Sequence, residues 1–239
     1  MRIVINGPPK QGHRWLKCLL ADVYDLTVLD GNQKPAMRPD AFAAWVGAGG
    51  FADGTILHQH ARFSRRLARE MMAAPAHLIA VVRDPYDTFV SLYFWAQDRA
   101  THGELGERER PRNAILDKPL DHPDVLAFLA DDFRHHLSQA NEWLHSGRAD
   151  VVRYEDLHRD PIATLRRVTD RIEPVPEVRI VHAVETCRAE NMRQMNAKFA
   201  RHVRAATVGD SARHLTAAHL AVFRDRYGDL VRSLGYPVR

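Results

Sequence analysis

The sequence predicts an α/β fold of the P-loop type, in which a central parallel β-sheet lies between two layers of helices. Short apolar segments alternate with amphipathic segments along the 239 residues, as strands and helices do in such folds. Residues 77–82, HLIAVV, form a strongly apolar run, which is typical of a parallel strand that is buried on both faces. The first strand leads into a Gly/Pro loop and then a helix. The length fits one domain over residues 1–239.

The first strand, loop and helix predict an anion site with unusual chemistry. The short apolar strand at residues 2–5 leads into the loop. From His13 onward, apolar residues recur at helical spacing and form one face of a predicted helix. Backbone N–H groups of such a loop and the positive end of its helix favour phosphate. Gly7 and Gly12 keep the spacing of a G-x-x-x-x-G-K-[ST] loop, but His13 and Arg14 stand where its Lys and Ser/Thr would be. The usual magnesium ligand is therefore missing, and the only lysine of the loop is Lys10.

The later elements follow from periodicity and from Gly/Pro positions. We predict strands at 55–60, 77–82 and 150–154, helices at 40–46, 63–72, 86–97, 125–144 and 161–172, helical structure at 174–198, and a final helix capped by Thr216 that extends to Leu234. Residues 98–122 are polar and irregular, and residues 199–213 are basic and irregular. A long polar loop in a compact domain often covers a binding site, so we expect 98–122 to be a mobile substrate loop.

Composition and charge exclude several classes of protein. Hydrophobic residues make up 45% of the chain and charged residues 27%, as in a folded globular protein. No apolar run approaches the roughly 20 residues of a membrane-spanning helix, and no signal peptide is visible, which predicts a cytoplasmic protein without a membrane partner. The net charge of +4 suits an anionic ligand, but no basic stripe with interleaved aromatic residues indicates nucleic acid. Cys18 and Cys187 are too few for a disulfide framework, and we expect free thiols.

Several segments together resemble the cytosolic sulfotransferases that use 3′-phosphoadenosine 5′-phosphosulfate (PAPS) as donor. Residues 9–16, PKQGHRWL, resemble the family's P-K-S-G-T-T-W-L. Residues 83–93, RDPYDTFVSLY, resemble R-[ND]-P-x-D-x-x-V-S-x-Y. Residues 153–157, RYEDL, followed by Asp160-Pro161, resemble a strand end of the family, and residues 204–210 and 226–230 resemble its C-terminal segments. The resemblance thus spans nearly the whole chain.

The resemblance implies a donor site. Its loop residues would hold the 5′-phosphosulfate: Pro9, Lys10, Gln11, Gly12, His13, Arg14 and Trp15. Arg83 and Ser91 would bind the 3′-phosphate, with Arg204 as a further ligand, and Tyr154 would contact adenine. The residues themselves allow other interpretations. Arg83 can form an ion pair with Asp84 or Asp87, Tyr154 can be an aromatic residue at the core edge, and Trp15 can belong to the core or stack on the base.

Transfer of a sulfuryl group needs an acceptor held in line, a base near its proton, and positive charge at the leaving phosphate. Lys10 can neutralise that charge, and Arg14 can add a second cation or point outward. His58 and His60 share one face of their strand because side chains alternate. The family's base lies about two dozen residues before the 3′-phosphate arginine, which selects His60 and leaves His58 in the place of a family lysine. An imidazole suits this role at neutral pH. A His-x-His zinc pair is an alternative, but no third ligand stands out, so we expect no metal.

Departures from the family leave parts of the site open. Gln11, His13 and Arg14 replace Ser, Thr and Thr, and Ala205-Ala206 replace Lys-Gly after Arg204. Ala189 lies where the family has a Phe, and it cannot stack on adenine. The dimer motif of the animal enzymes is not found, so either a monomer or a homodimer is expected.

The sequence thus predicts a metal-independent sulfotransferase that acts on a hydroxyl or amine of a small-molecule acceptor. A P-loop nucleotide kinase is the alternative, although His13 and Arg14 leave such an enzyme without its magnesium ligand.

Overall fold

A computed structural model describes residues 1–101, 114–195 and 206–239. Its centre is a five-stranded sheet in the order β2-β3-β1-β4-β5, and all pairs of neighbouring strands are parallel. The strands are β1 (Arg2–Asn6), β2 (Thr27–Leu29), β3 (Thr55–Gln59), β4 (Ala76–Val82) and β5 (Asp150–Arg153). The predicted parallel α/β fold is confirmed.

Eleven α-helices surround the sheet within the described ranges. They are α1 (His13–Tyr24), α2 (Pro39–Gly47), α3 (Arg65–Ala73), α4 (Pro85–Thr101), α5 (Pro123–Ala130), α6 (Arg134–Leu144), α7 (Tyr154–Arg159), α8 (Pro161–Ile172), α9 (Glu177–Thr186), α10 (Ala189–Met195) and α11 (Ala217–Ser233). Short 3₁₀ helices cover Gly31–Gln33 and Asp210–Arg213. The helices predicted at 161–172 and after Thr216 lie where they were expected.

The three layers follow from the alternation of side chains along β1. Ile3 and Ile5 pack on one face against apolar residues of α1, α8 and α9. Val4 packs on the opposite face with residues of α2, α3 and α6. All three side chains are fully buried, so the central strand contributes to both cores. A third cluster joins α4, α5, α6 and α11 beside the sheet.

Strand register brings the predicted site residues to one edge of the sheet. Asn6 at the end of β1 pairs with Gln59 at the end of β3, and Val82 at the end of β4 pairs with Arg153 of β5. The residues that follow these strands therefore leave the same carboxyl edge, which is where open α/β sheets bind ligands. They are the loop from Gly7, His60, Arg83 and Tyr154.

Some boundaries differ from those predicted. The helix expected at 125–144 is two helices, because the chain turns at 131–133 between α5 and α6. Helix α4 extends to Thr101, into the segment expected to be a loop, and residues 102–113 of that segment lie outside the described residues. The helical prediction for 174–198 is met by α9 and α10, with 196–198 also outside the description. Strand β2 was not predicted.

The expectation of two free thiols was wrong, because Cys18 and Cys187 form a disulfide. Their Cα atoms are 6.0 Å apart although 169 positions separate them in sequence. Packing of α1 against α9 brings the two side chains together, and each belongs to the same apolar cluster. The bond links the helix after the anion loop to the end of α9. None of the described helices is long and apolar enough to cross a membrane.

Candidate active site

A cavity of about 680 Å³ opens at the carboxyl edge of the sheet. Ten of the residues predicted for the site line it: Pro9, Lys10, Gly12, His13, Arg14, Trp15, His60, Arg83, Ser91 and Tyr154. Gln11 is buried and does not line the cavity, and its amide oxygen has no hydrogen-bond partner among the described residues. Arg204 lies outside the described residues. Four separate parts of the sequence therefore meet around one space.

The glycine at the end of the loop is required by its neighbour. Gly12 has a φ of 94° and precedes the first turn of α1. A Cβ atom at this position would lie 2.6 Å from Cδ2 of Tyr154, which no side chain tolerates. The loop backbone therefore rests directly on the Tyr154 ring. Gly7 is similarly confined, since a Cβ there would lie 2.9 Å from both His13 Nε2 and the Val81 carbonyl oxygen.

Lys10 occupies a strained position at the centre of the loop. Its φ of 72° lies in the left-handed region, which costs an ordinary residue roughly 1–2 kcal/mol. The Lys10 carbonyl accepts a hydrogen bond from Arg83, and its ammonium lies 5.8 Å from the centre of the Trp95 ring. This is a cation–π distance. The loop thus holds the lysine over the cavity through both its backbone and its side chain.

Arg83 connects three parts of the site. One terminal nitrogen donates to the Lys10 carbonyl at 3.2 Å, and the other donates to the Thr207 carbonyl at 3.1 Å. Its guanidinium lies 4.3 Å from the centre of the Tyr154 ring and 3.7 Å from the Asp87 carboxylate. Nε is buried without a hydrogen-bond partner among the described residues. Arg83 therefore forms the ion pair with Asp87 that was one of the alternatives from the sequence, and it also lines the cavity.

The two aspartates after Arg83 build its surroundings. Asp84 accepts hydrogen bonds from the N–H groups of Tyr86 and Asp87, so it caps the first turn of α4. Asp87 is almost fully buried and accepts hydrogen bonds from the N–H groups of Gly209 and Ser211 at 2.7 and 2.9 Å. It thereby fixes the returning C-terminal segment next to Arg83. Sequence analysis offered Asp87 only as an ion-pair partner of Arg83, and this contact with a segment more than 120 positions away was not predicted.

His60 lies just beyond the end of β3 and is fixed by one hydrogen bond. Its Nδ1 is 2.8 Å from the Gly7 carbonyl oxygen. A carbonyl oxygen can only accept, so Nδ1 carries the proton and donates. In the neutral ring the basic lone pair is then on Nε2. The anion loop itself therefore selects the tautomer of His60.

Two further imidazoles pack against His60 and are held neutral. The His13 ring centre is 5.1 Å from that of His60, and the His58 ring centre is 5.6 Å away. Burial lowers the pKa of His13 well below its usual value, and nearby His60 adds to the effect. Burial also lowers the pKa of His58, with contributions from Lys17 and Lys34. His58 therefore cannot supply the positive charge of the lysine whose place it takes.

Arg14 lines the cavity and so points inward. Partial burial lowers its pKa, and the Asp30 carboxylate opposes that shift. Asp30 also accepts a hydrogen bond from Lys17 at 2.8 Å. Its carboxylate lies 4.0 Å from His58 Nδ1, which has no hydrogen-bond partner among the described residues. Because Arg14 is held this close to the cavity, it adds positive charge to the same end as Lys10.

A second part of the cavity wall, called the aromatic end below, is formed by rings. The ring centre of Trp15 lies 6.1 Å from that of Tyr154 and 6.4 Å from that of His158. The Tyr154 and His158 centres are 6.0 Å apart. Burial raises the pKa of the Tyr154 hydroxyl. The cavity thus combines a cationic end with an end that suits a planar ring.

A model of the sulfotransferase domain family matches residues 1–235. The chain belongs to the sulfotransferase family. The predicted membership is therefore confirmed, and the chain is an enzyme of sulfuryl transfer.

Solved structures of similar fold support this assignment. Mouse sulfotransferase SULT7A1 complexed with PAP matches with a TM-score of 0.69 at 17% identity, over 98% of this chain and 87% of that one. Retinol dehydratase in complex with androsterone and inactive cofactor PAP matches with a TM-score of 0.65 at 12% identity, over 100% of this chain and 82% of that one. Among curated proteins, none matches the chain. At these identities the structural likeness shows the fold.

Several cavity residues of this sulfotransferase were not predicted. Two of them carry a helical signal: Trp95 lies four residues after Ser91 on α4, and His158 lies four residues after Tyr154 on α7. Residues four apart share a helix face, so each is one turn from a predicted site residue. Pro161 and Ala206 lie in segments that resemble the family but were not assigned to the site, and the others, from segments without a recognisable pattern, are Val184, Arg188, Glu190 and Met192. Within the described ranges, no three His, Cys, Asp or Glu side chains are grouped to hold a metal ion.

Proposed function

We propose that this sulfotransferase transfers the sulfuryl group of PAPS to a hydroxyl or amine of a small-molecule acceptor, without a metal ion. One observation carries the proposal: the carbonyl of Gly7 in the anion loop fixes His60 as the Nδ1–H tautomer, in the same cavity as Lys10. A basic ring nitrogen and a cation thus share the space where an acceptor and a sulfated phosphate would meet. Structures of similar fold carry PAP, and one also carries androsterone.

The donor end of the cavity fits a phosphorylated nucleotide. Lys10, Arg14 and Arg83 line it, and its loop glycine leaves no room for a side chain between the backbone and Tyr154. Arg83 Nε is a buried donor without a hydrogen-bond partner among the described residues. A phosphate oxygen would satisfy such a group. We assign the 5′-phosphosulfate to the loop residues with Arg14, and the 3′-phosphate to Arg83, Ser91 and the predicted ligand Arg204.

His60 is assigned as the general base. The acceptor oxygen or nitrogen bonds to sulfur as the bond between sulfur and the leaving phosphate oxygen breaks, and the acceptor proton passes to His60 Nε2. The imidazolium then keeps its Nδ1–H bond to the Gly7 carbonyl oxygen. Burial keeps His13 and His58 neutral, so neither ring adds a repelling charge beside the imidazolium.

Lys10 is assigned to the leaving phosphate. Negative charge grows on that oxygen as the bond to sulfur breaks, and an ammonium already held in place stabilises it without rearrangement. The strained backbone of Lys10 and its contact with Trp95 support this role, because both fix the side chain before the donor binds. Arg14 supplies further positive charge. It thereby compensates for His58, which is neutral and stands where the family has a lysine.

The acceptor side of the proposal rests on the remaining segments of the sequence. We propose that the segment 98–122, of which 98–101 end α4 and 102–113 lie outside the described residues, contributes to the acceptor side of the site, within one domain over residues 1–239. Sequence composition gives no lipid-like run there, so a small polar molecule is the proposed acceptor class. A monomer or homodimer that binds neither nucleic acid nor a membrane stays a prediction.

Calorimetry tests the donor. We expect adenosine 3′,5′-bisphosphate (PAP) to bind with unchanged affinity in magnesium and in EDTA. ATP should bind much more weakly in both. ATP binding that requires magnesium would instead support the nucleotide kinase alternative. A panel of hydroxyl and amine acceptors with labelled PAPS then identifies the acceptor class.

The cytoplasmic location stays a prediction, and the Cys18–Cys187 disulfide offers a test of it. Disulfides are rare in the cytosol, where thiols are kept reduced. Cells are quenched in acid, the protein is denatured, and its thiols are alkylated. A cytoplasmic enzyme should yield two alkylated cysteines per chain, whereas an enzyme in an oxidising compartment should yield none.

A further inference from the structure

We propose that Arg239 is a positioning residue of the donor site, which keeps Arg83 in place for the 3′-phosphate. It acts through Asp84 and Ser211, which it contacts directly. This inference rests on the proposed function, because the 3′-phosphate is there assigned to Arg83. Arg239 does not line the cavity, and it lies beyond residues 1–235 of the family match. Its role is therefore one that no motif of the sequence indicates.

Arg239 is held by contacts of both its backbone and its side chain. One terminal nitrogen donates to Oγ of Ser211 at 3.1 Å, and the other donates to the Asp84 carboxylate at 2.7 Å. Its backbone N–H donates to the Tyr86 hydroxyl at 2.9 Å, and its guanidinium lies 4.4 Å from the centre of the Tyr86 ring. The last distance is that of a cation–π contact. These contacts give Arg239 a defined place on the protein, unlike that of a solvated surface arginine.

The two hydrogen-bond partners of this guanidinium belong to the two elements that adjoin Arg83. Asp84 is the next residue in the chain, where one carboxylate oxygen caps α4 and the other accepts the hydrogen bond from Arg239. Ser211 lies four residues after Thr207, whose carbonyl accepts a hydrogen bond from Arg83. Arg239 thus joins the helix that follows Arg83 to the segment that Arg83 contacts.

Arg239 also compensates a buried negative charge next to Arg83. Asp84 and Asp87 are 7% and 2% exposed, and the Asp87 carboxylate already lies 3.7 Å from the Arg83 guanidinium. A buried carboxylate without a cation is costly. Burial raises the pKa of Asp84, and the Arg239 guanidinium opposes that rise. Because Asp84 has this cation of its own, the charge of Arg83 can serve a phosphate.

These contacts predict an effect on donor binding rather than on the transfer step. Without Arg239, the segment of Thr207 is held less firmly, and Arg83 loses part of the support for its guanidinium. Ordering that side chain on binding then costs free energy, so binding of the 3′-phosphate should weaken. Transfer itself is assigned to His60 and Lys10, so kcat at saturating PAPS should be retained.

A ligand pair isolates the 3′-phosphate. The dissociation constant of PAP is compared by calorimetry with that of adenosine 5′-monophosphate, which lacks this phosphate. The ratio of the two constants cancels the contacts of the base, the ribose and the 5′-phosphate. We expect wild type to prefer PAP strongly. Arg239→Ala should reduce the preference about fivefold, an effect typical of residues that act through others. KM for PAPS should rise by the same factor, and kcat should stay within about twofold of wild type.

Further variants test the route through Ser211. Ser211→Ala removes one partner of Arg239, so it should also reduce the preference for PAP. The double variant Arg239→Ala/Ser211→Ala should be no worse than Arg239→Ala, because both changes break the same contact. Arg239→Lys keeps a cation for Asp84 and loses the forked contact. Its preference should therefore lie between those of wild type and Arg239→Ala.

Arg232→Ala is the matched control. Arg232 is an exposed arginine of α11 that pairs with Asp229 and does not line the cavity. Its replacement should leave the preference for PAP unchanged. Circular dichroism establishes that each variant is folded. Where Arg239→Ala does not fold, Arg239→Lys and Ser211→Ala carry the test.

The outcomes are distinct. An unchanged preference in Arg239→Ala, or an equal loss of affinity for the two ligands, overturns the positioning role of Arg239. Additive effects in the double variant overturn the route through Ser211. Equal binding of both ligands to wild type also overturns the inference and leaves the assignment of the 5′-phosphosulfate in place. Binding of neither ligand to wild type refutes the proposed function itself.

Discussion

The two ends of the cavity are built on different physical principles. The cationic end has Lys10 in a strained backbone conformation and three packed imidazoles, of which two are buried and neutral. The aromatic end has rings about 6 Å apart, with no positive φ at Trp15, Tyr154 or His158. Strain and buried polar groups reduce stability and are retained where chemistry needs them. The difference supports the proposal that the cationic end serves the reaction and the aromatic end contributes to affinity.

The largest expected effect comes from His60. His60→Ala should lower kcat by about 10²–10⁴-fold, the usual contribution of a general base. The dissociation constant for PAP should change by less than about threefold, because His60 is assigned to the acceptor proton. Steady-state kinetics with PAPS and calorimetry with PAP measure the two effects.

Its control keeps the hydrogen bond without the base. His60→Gln can still donate to the Gly7 carbonyl oxygen but cannot accept a proton. It should be as slow as His60→Ala and should also lose the acid limb of the wild-type pH profile. Near-normal turnover in His60→Gln would show that the hydrogen bond matters and the base does not.

The next effect comes from Lys10, where activity and stability should change independently of each other. Lys10→Ala and Lys10→Gly both remove the ammonium, so each should lower kcat by about 10²–10³-fold. At the positive φ of this residue, however, glycine is unstrained and alanine is not. The free energy of unfolding of Lys10→Gly should therefore be about 1 kcal/mol higher than that of Lys10→Ala.

Denaturant unfolding of the two variants measures the difference. Lys10→Arg keeps a cation and should retain part of the activity, which separates charge from loop structure. Equal stability of the glycine and alanine variants would contradict the strain at Lys10, and full activity in either would remove Lys10 from the mechanism.

The cationic end was more predictable from sequence than the aromatic end, for a physical reason. The loop, Arg83 and His60 each follow a strand directly, so the sheet alone brings them to one edge. His158 lies in a six-residue helix. It forms part of the cavity wall only because the fold brings Trp15, from a distant segment, next to it. The one-turn spacing from Tyr154 is a signal that sequence analysis can use in such cases.

Other features depended on tertiary packing that no local pattern records. The disulfide joins cysteines 169 positions apart, so only the packing of α1 on α9 reveals it. Strand β2 has three residues, too few for a period-two pattern. The inward direction of Arg14 also follows from the fold, since the first helical turn can point either way. In each case the missing information is the arrangement of distant segments.

The smallest effect is a pH dependence of stability that comes from two buried histidines of the cationic end. Folding lowers the pKa of His13 and His58, so between pH 7.5 and 5.5 the unfolded chain takes up protons that the folded chain does not. The contribution of these histidines to the free energy of unfolding should therefore be fully present above their unfolded pKa of about 6.5, and it should be lost as the pH falls below that value. Each histidine should lower the free energy of unfolding by about 1.4 kcal/mol at pH 5.5, at 1.36 kcal/mol per pH unit.

His13→Gln and His58→Gln should each flatten the dependence of unfolding free energy on pH, whatever their stability at pH 7.5. His135→Asn, an exposed histidine, is the control. A slope that neither variant changes would mean that the two buried rings carry protons in the folded enzyme, and the neutral surroundings assigned to His60 would then be wrong.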